Sequence, residues 1–102
     1  MFKINGEKWY IKFVNPNSIF LKTNEGEYTI GSCDNETKTI YLNSKLKGNQ
    51  LKKVLCHEIV HCAMFSYNIF LTFKQEELLA DLIATYGEEI IYITNKIFKK
   101  LQ

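Results

Sequence analysis

Residues 49–67 contain neither glycine nor proline, and this segment constrains the fold more than any other part of the chain. It predicts a helix of about five turns. The first half of this helix is apolar on one side, and the second half is apolar on nearly every side, at Ile59, Val60, Ala63, Met64 and Phe65. Because a helix that is apolar all round is buried all round, we expect it to lie at the centre of the domain.

The only two histidines of the chain, His57 and His61, lie on this predicted helix, and Glu58 directly follows the first of them. Residues four apart are separated by about 40° and one turn, so both imidazoles can bind a single metal ion. Glu58 lies beside them, where its carboxylate can reach a water molecule on that ion, as in an H-E-x-x-H motif. The alternative is a pair of core histidines beside a glutamate, which would bury three ionisable groups without compensation.

A third ligand is required, because catalytic zinc usually has three protein ligands and one open position. Glu77 and Asp81 are four residues apart on a second predicted helix, where two carboxylates on one face repel each other unless a positive group is near. We predict that Glu77 binds the metal and that Asp81 accepts the free N–H of a ligand histidine. Glu76, about 100° away, is the competing ligand and ranks below Glu77. The alternative is a solvated helix face near an N-terminus, where acids are favoured.

The three cysteines, Cys33, Cys56 and Cys62, are an odd number without CxxC spacing, which predicts free thiols in a reducing compartment. Cys56 and Cys62 lie about 100° on opposite sides of the line through the histidines, so we interpret them as small buried hydrophobic residues. Cys33 is the candidate thiolate ligand of a deformylase-like site. The glycine-rich and glutamine-containing segments of such enzymes are missing, which disfavours this alternative.

The whole chain predicts a single α+β domain, residues 1–102, in which a short N-terminal β-meander is followed by three helices. Aromatic and β-branched segments between turn signals predict strands within about residues 8–43, at 8–14, 19–22, 28–32 and 38–42. Helices are predicted at about residues 49–67, 73–86 and 88–101. Thr72 and Gln75 form a capping box before the second helix, and Gly87 is expected to end it.

The segments TIYLN, LKKVLCHEIVHCAMFSY and EELLADLIATYGEEI, within residues 39–90, resemble the ImmA/IrrE family of small HExxH zinc metallopeptidases, which are gluzincin-like and common in phages and integrative elements. The resemblance implies a minimal zincin-like domain with one Zn²⁺ ion, with His57, His61 and Glu77 as ligands and Glu58 as general base. Members often have asparagine where this chain has Asp81, and either residue accepts a hydrogen bond from histidine. The chain has no third histidine, so zinc, a tyrosine or a backbone N–H must stabilise the oxyanion. The tyrosine candidates are Tyr67 and Tyr86, and the alternative for each is a packed core or rim tyrosine.

These features predict a zinc metallopeptidase that hydrolyses a peptide bond in a protein or peptide substrate. The family resemblance suggests a helix-turn-helix repressor of a phage or mobile element as that substrate. We expect the strand at residues 38–42 to bind substrate as an added strand. The alternative is a non-catalytic binding module, an anti-repressor or toxin-type factor, in which zinc stabilises a small core. The presence of Glu58 favours catalysis, because a structural site needs no base.

Charge and hydropathy exclude other classes of function. The net charge is +2, and all 13 basic residues are lysines scattered along the chain, which disfavours direct nucleic-acid binding. No apolar run is long enough to span a membrane, and the N-terminus does not resemble a signal peptide. We therefore expect a cytoplasmic protein, in the cytosol of a bacterial host, without a membrane partner.

Overall fold

The computed structural model describes all of residues 1–102 and contains four strands, two α-helices and a short 3₁₀ turn. In chain order these are β1 (Phe2–Ile4), β2 (Glu7–Val14), the 3₁₀ turn (Ile19–Leu21), β3 (Gly31–Asp34), β4 (Thr39–Asn43), α1 (Gly48–Ser66) and α2 (Phe73–Leu101). The class is α+β, but the predicted meander with three helices is wrong. The sheet is mixed, and one long helix stands where two were expected.

The sheet has the strand order β1-β2-β4-β3. β1 and β2 form a hairpin through Asn5 and Gly6, both with positive φ (49° and 79°), as a tight hairpin turn requires. β2 then pairs with β4 in parallel, and β3 pairs with β4 antiparallel. A parallel pair needs a long crossover, which residues 15–38 supply. β4 is thus a central strand with two partners, and β3 is an outer strand.

The predicted strand at residues 19–22 is instead the 3₁₀ turn. The Ser18 hydroxyl accepts a hydrogen bond from the Phe20 N–H and so caps this turn. Lys22 and Tyr28 form only an isolated bridge, and regular pairing begins at Gly31. Residues 19–22 and 28–32 therefore do not pair as consecutive strands of the predicted meander, because local side-chain capping competes with strand pairing.

The main core lies between the sheet and α1 and consists of Trp9, Ile40, Leu42, Leu46 and Cys62. The Trp9 indole N–H donates to the Ser66 hydroxyl at 2.9 Å, which pairs this buried donor at the last turn of α1. A smaller cluster of Val60, Met64 and Ala80 joins α1 to α2. α1 therefore lies between the sheet and α2, the central position expected for a helix that is apolar on nearly every side.

α2 runs through Gly87 without a break, so the predicted helix end at this residue is wrong. A glycine that ends a helix adopts positive φ, and Gly87 does not. A single glycine inside a helix costs only about 1 kcal/mol, and the residues on both sides of it favour a helix. α2 thus has 29 residues and is about 43 Å long. The first turns of its C-terminal half run beside the start of α1, where Glu88 forms an ion pair with Lys52.

Candidate metal centre

After α1 a short turn reverses the chain, so that α2 packs on α1. The Thr72 hydroxyl accepts from the Gln75 N–H, and the Gln75 side chain accepts from the Thr72 N–H, so the predicted capping box is present. This cap fixes where α2 begins. As a result, the first two turns of α2 face the middle of α1, which carries both histidines.

His57, His61 and Glu77 form a group that could hold a metal ion, with all three ligand atoms within 4.8 Å of one another. The two Nε2 atoms are 3.1 Å apart. Glu77 Oε1 lies 2.9 Å from His61 Nε2, and Glu77 Oε2 lies 3.2 Å from His57 Nε2. Ligands of a tetrahedral zinc ion lie roughly 3.3 Å from one another, given bonds of about 2.0 Å, so these separations suit the ion.

A carboxylate of α2 contacts the other ring nitrogen of each histidine. His57 Nδ1 lies 2.9 Å from Asp81 Oδ1, and His61 Nδ1 lies 2.8 Å from Glu76 Oε1. When a ring is neutral, its Nδ1–H donates a hydrogen bond to the carboxylate. The free lone pair of the ring then lies on Nε2. Two such lone pairs and an acidic side chain then converge within hydrogen-bonding distance. A cation at the centre of this cluster would offset the repulsion between these acceptors.

Glu76 is the residue whose role sequence reasoning missed. It was considered as a rival metal ligand and is instead the partner of His61, whereas Asp81 has the predicted place beside His57. The signal was present in the sequence, since two ligand histidines need two separate acceptors. Besides Glu77, which belongs to the group that could hold a metal ion, the early turns of α2 contain only these two acids.

The predicted base, Glu58, is buried beside this group, with 7% of its surface exposed. Burial raises the pKa of its carboxyl, the neighbouring histidines oppose the increase, and Glu77 adds to it. The backbone of β3 passes directly over Glu58 at Gly31. A Cβ atom at Gly31 would lie 3.2 Å from Glu58 Oε2 and 2.8 Å from Val54 Cγ1, so only glycine fits without a shift.

Glu58 and Glu77 line a cleft of about 710 Å³. One wall comes from residues 21–23 and 29–32, another from α2, and α1 also lines the cleft. The wall positions include apolar and basic side chains as well as the ligands, notably Leu21, Lys22, Ile30, Lys53, Val54, Phe73 and Ala84. The volume suits a ligand of several non-hydrogen atoms, or a short stretch of extended peptide.

Other predicted site residues lie elsewhere. Tyr67 and Tyr86 are each 55% exposed and do not line the cleft. Cys33 and Cys62 contact each other, with 3.4 Å between their sulfur atoms, and hydrogen bonding and burial raise the pKa of Cys33. No cysteine belongs to the metal-binding group, so the structure does not supply the thiolate of a deformylase-like site.

The strand predicted at residues 38–42 is present as β4. The prediction that it binds substrate as an added strand is wrong, because β4 is already paired on both sides. The outer strand beside the cleft is β3.

No family model, no curated protein and no solved structure matches this chain. What the site does must therefore follow from its own geometry. Neither helix carries an apolar stretch that could cross a bilayer.

Proposed function

We propose that the protein is a zinc-dependent endopeptidase. The observation that carries this proposal is the position of Glu58, a buried carboxylate that opens into a cleft next to three convergent metal ligands. A purely structural zinc site usually has four protein ligands and no base. Here three residues would hold the ion, which is the number typical of a catalytic site, and the carboxylate of Glu58 lies beside them.

The ligand set supports zinc in particular. Two imidazoles and one carboxylate are a common set for catalytic zinc, and hard ions such as Mg²⁺ and Ca²⁺ prefer oxygen ligands throughout. His57, His61 and Glu77 would hold the ion, and Asp81 and Glu76 would orient the two rings. When bound, zinc acidifies a water molecule to a pKa near 7 and polarises the peptide carbonyl.

The protein side chains perform the proton transfers. Glu58 accepts a proton from the attacking water on a carboxylate oxygen and then donates it to the nitrogen of the leaving amine. Burial raises the pKa of the Glu58 carboxyl in the metal-free site, and the positive charge of a bound zinc ion would oppose this rise.

An extended segment of a protein is the substrate class that the cleft favours. β3 is an outer strand of the sheet, and it starts at Gly31, directly over Glu58. A substrate strand added beside β3 would bring its backbone carbonyl close to the metal ligands. The resemblance to the ImmA/IrrE family supports a repressor of a phage or mobile element as the protein that is cut.

The test is the variant Glu58→Gln, which keeps the shape of the side chain and removes its basicity. Zinc content measured by mass spectrometry should equal that of the wild type, and cleavage of an unstructured protein substrate should fall at least about a hundredfold. Glu36→Gln, in the exposed turn between β3 and β4, is the matched control. Wild-type cleavage by the zinc-loaded Glu58→Gln variant would overturn the proposal.

A second candidate is a binding module whose zinc serves only the fold. The observation that favours it is the small core, with 13 of 102 residues buried, because such a core gains from a metal link between elements. In that case Glu58→Gln would retain the full biological effect of the protein while remaining folded and zinc-loaded.

A further inference from the structure

The C-terminal half of α2 presents an apolar stripe that no part of the chain covers. The stripe consists of Ile83, Tyr86, Ile90, Ile93 and Ile97, and these side chains are between 39% and 55% exposed. Their spacing is 3-4-3-4, which is the repeat of the core positions of a coiled coil. The stripe begins after the turns of α2 that carry the metal ligand and the carboxylates.

Apart from Ile83, which also lines the groove between α2 and the start of α1, this stripe faces away from the rest of the domain. Ala80 packs against α1, and Glu77 faces the histidines of α1. At 100° per residue the centre of the stripe lies about 100° from Ala80 and about 160° from Glu77 around the helix. α2 packs chiefly on α1, so a partner could reach the stripe without displacing any element or closing the cleft.

Two charged residues flank the stripe and identify its partner. Glu89 and Lys96 lie along the same border of the stripe, and neither forms an ion pair within the chain. In the heptad both occupy the position just before a core residue, since they precede Ile90 and Ile97. This position is g of the heptad. In an antiparallel pair of helices a g residue faces a g residue of the partner, whereas in a parallel pair it faces an e residue.

We propose that α2 pairs with α2 of a second copy of this chain in an antiparallel coiled coil. The twofold axis of this dimer passes between residues 91 and 92. Ile90 then lies opposite Ile93 of the second copy, and Tyr86 lies opposite Ile97 of the second copy. The same register places Glu89 opposite Lys96 of the second copy, twice by symmetry. A parallel pair would place Glu89 near Thr94, with no charge to meet it. The proposal is independent of the peptidase activity.

The overlap of about 18 residues is short for a coiled coil, so the dimer should depend on concentration. Sedimentation equilibrium of the full chain should give a mass that rises from 12.0 kDa towards twice that value, with a midpoint on the order of tens of micromolar. A mass that stays at 12.0 kDa up to several hundred micromolar overturns the proposal.

The double variant Ile90→Glu with Ile97→Glu should remain monomeric throughout that range, because it puts four carboxylates into the paired core. Lys99→Glu is the matched control. It changes the net charge by the same two units on the polar side of α2 and should dimerise like the wild type. Circular dichroism confirms that both remain helical. A dimer that persists in the double variant overturns the proposal.

Charge reversal tests the orientation. Glu89→Lys and Lys96→Glu should each weaken the dimer about tenfold, because each places like charges together twice. Combining them should restore the wild-type midpoint, and failure to restore it overturns the antiparallel register. If the wild type stays monomeric and instead sediments with anionic lipid vesicles, the stripe is a membrane-surface helix and the dimer is wrong.

Discussion

At the metal centre, each histidine is held from both sides. Its Nε2 atom faces the shared ligand position, and its Nδ1 atom contacts a carboxylate of α2. These carboxylate contacts matter for metal binding, because they decide which ring nitrogen has the free lone pair. Two residues outside the H-E-x-x-H motif, Glu76 and Asp81, therefore fix the orientation of the two rings.

Loss of the contact between Glu76 and His61 should lower the affinity of the protein for zinc. We expect Glu76→Ala to weaken zinc binding about 10- to 100-fold, the usual effect of losing such a carboxylate. Titration against a competing fluorescent chelator measures the affinity. Glu89→Ala, an acid on the far half of the same helix, is the control and should bind zinc like the wild type.

Gly31 should be intolerant of any side chain. We expect Gly31→Ala to destabilise the fold by about 1–3 kcal/mol, because its Cβ would overlap Val54 Cγ1 and press on Glu58. Activity per folded molecule should fall, while zinc content stays unchanged. Val54→Ala in the same chain should recover part of both losses, and a purely additive double variant would contradict this explanation.

The cysteines should react in a fixed order. Cys62 is fully buried, and hydrogen bonding and burial raise the pKa of its neighbour Cys33, whereas Cys56 is partly exposed beside a groove. Since the thiolate is the reactive form, iodoacetamide at pH 8 should label Cys56 first. Mass spectrometry of digested protein measures the order. Labelling of Cys33 as fast as Cys56 would contradict the pairing of Cys33 with Cys62.

At the scale of elements, the main difference from the sequence prediction is the continuity of α2. A stop at Gly87 would have produced two short helices that could fold onto the domain. The continuous helix instead runs on beside the first turns of α1, with Ile90, Ile93 and Ile97 exposed on its opposite face. The backbone conformation at Gly87 thus decides whether the domain ends in two short helices or in one continuous helix.

Gly87→Ala distinguishes these two arrangements directly. In a continuous helix, alanine should stabilise the protein by about 0.5–1 kcal/mol, and Ile83 needs only a small shift to accept the new methyl group at 3.3 Å. In a helix stop with positive φ, the same change would destabilise it. Urea unfolding of both proteins at low concentration, where self-association is weak, measures the difference.

At the scale of the whole molecule, the core is divided. One cluster joins the sheet to α1, and only Val60, Met64 and Ala80 form the cluster that joins α1 to α2. A metal bound between the helices would therefore add a second attachment for α2. The sheet and α1 would hold together without it.

Zinc should accordingly stabilise α2 more than the sheet. Zinc at about a thousandfold excess over its Kd should stabilise the folded state by about 4 kcal/mol. After chelation, hydrogen exchange should accelerate in the first half of α2 and change little in β4. Mg²⁺ at the same concentration is the control and should not protect either element. Equal acceleration in both elements would show that the domain unfolds as one unit.

The sequence by itself determined the parts of the site that depend on local periodicity. The spacing of His57 and His61, the capping box of α2 and the face shared by Glu77 and Asp81 all follow from helix geometry within a few turns. Only the tertiary structure decided the rest. The parallel pairing of β2 with β4, the close passage of Gly31 over Glu58 and the contact of Glu76 with His61 join residues far apart in the chain. Such contacts depend on which surfaces pack together, and local pattern does not contain that information.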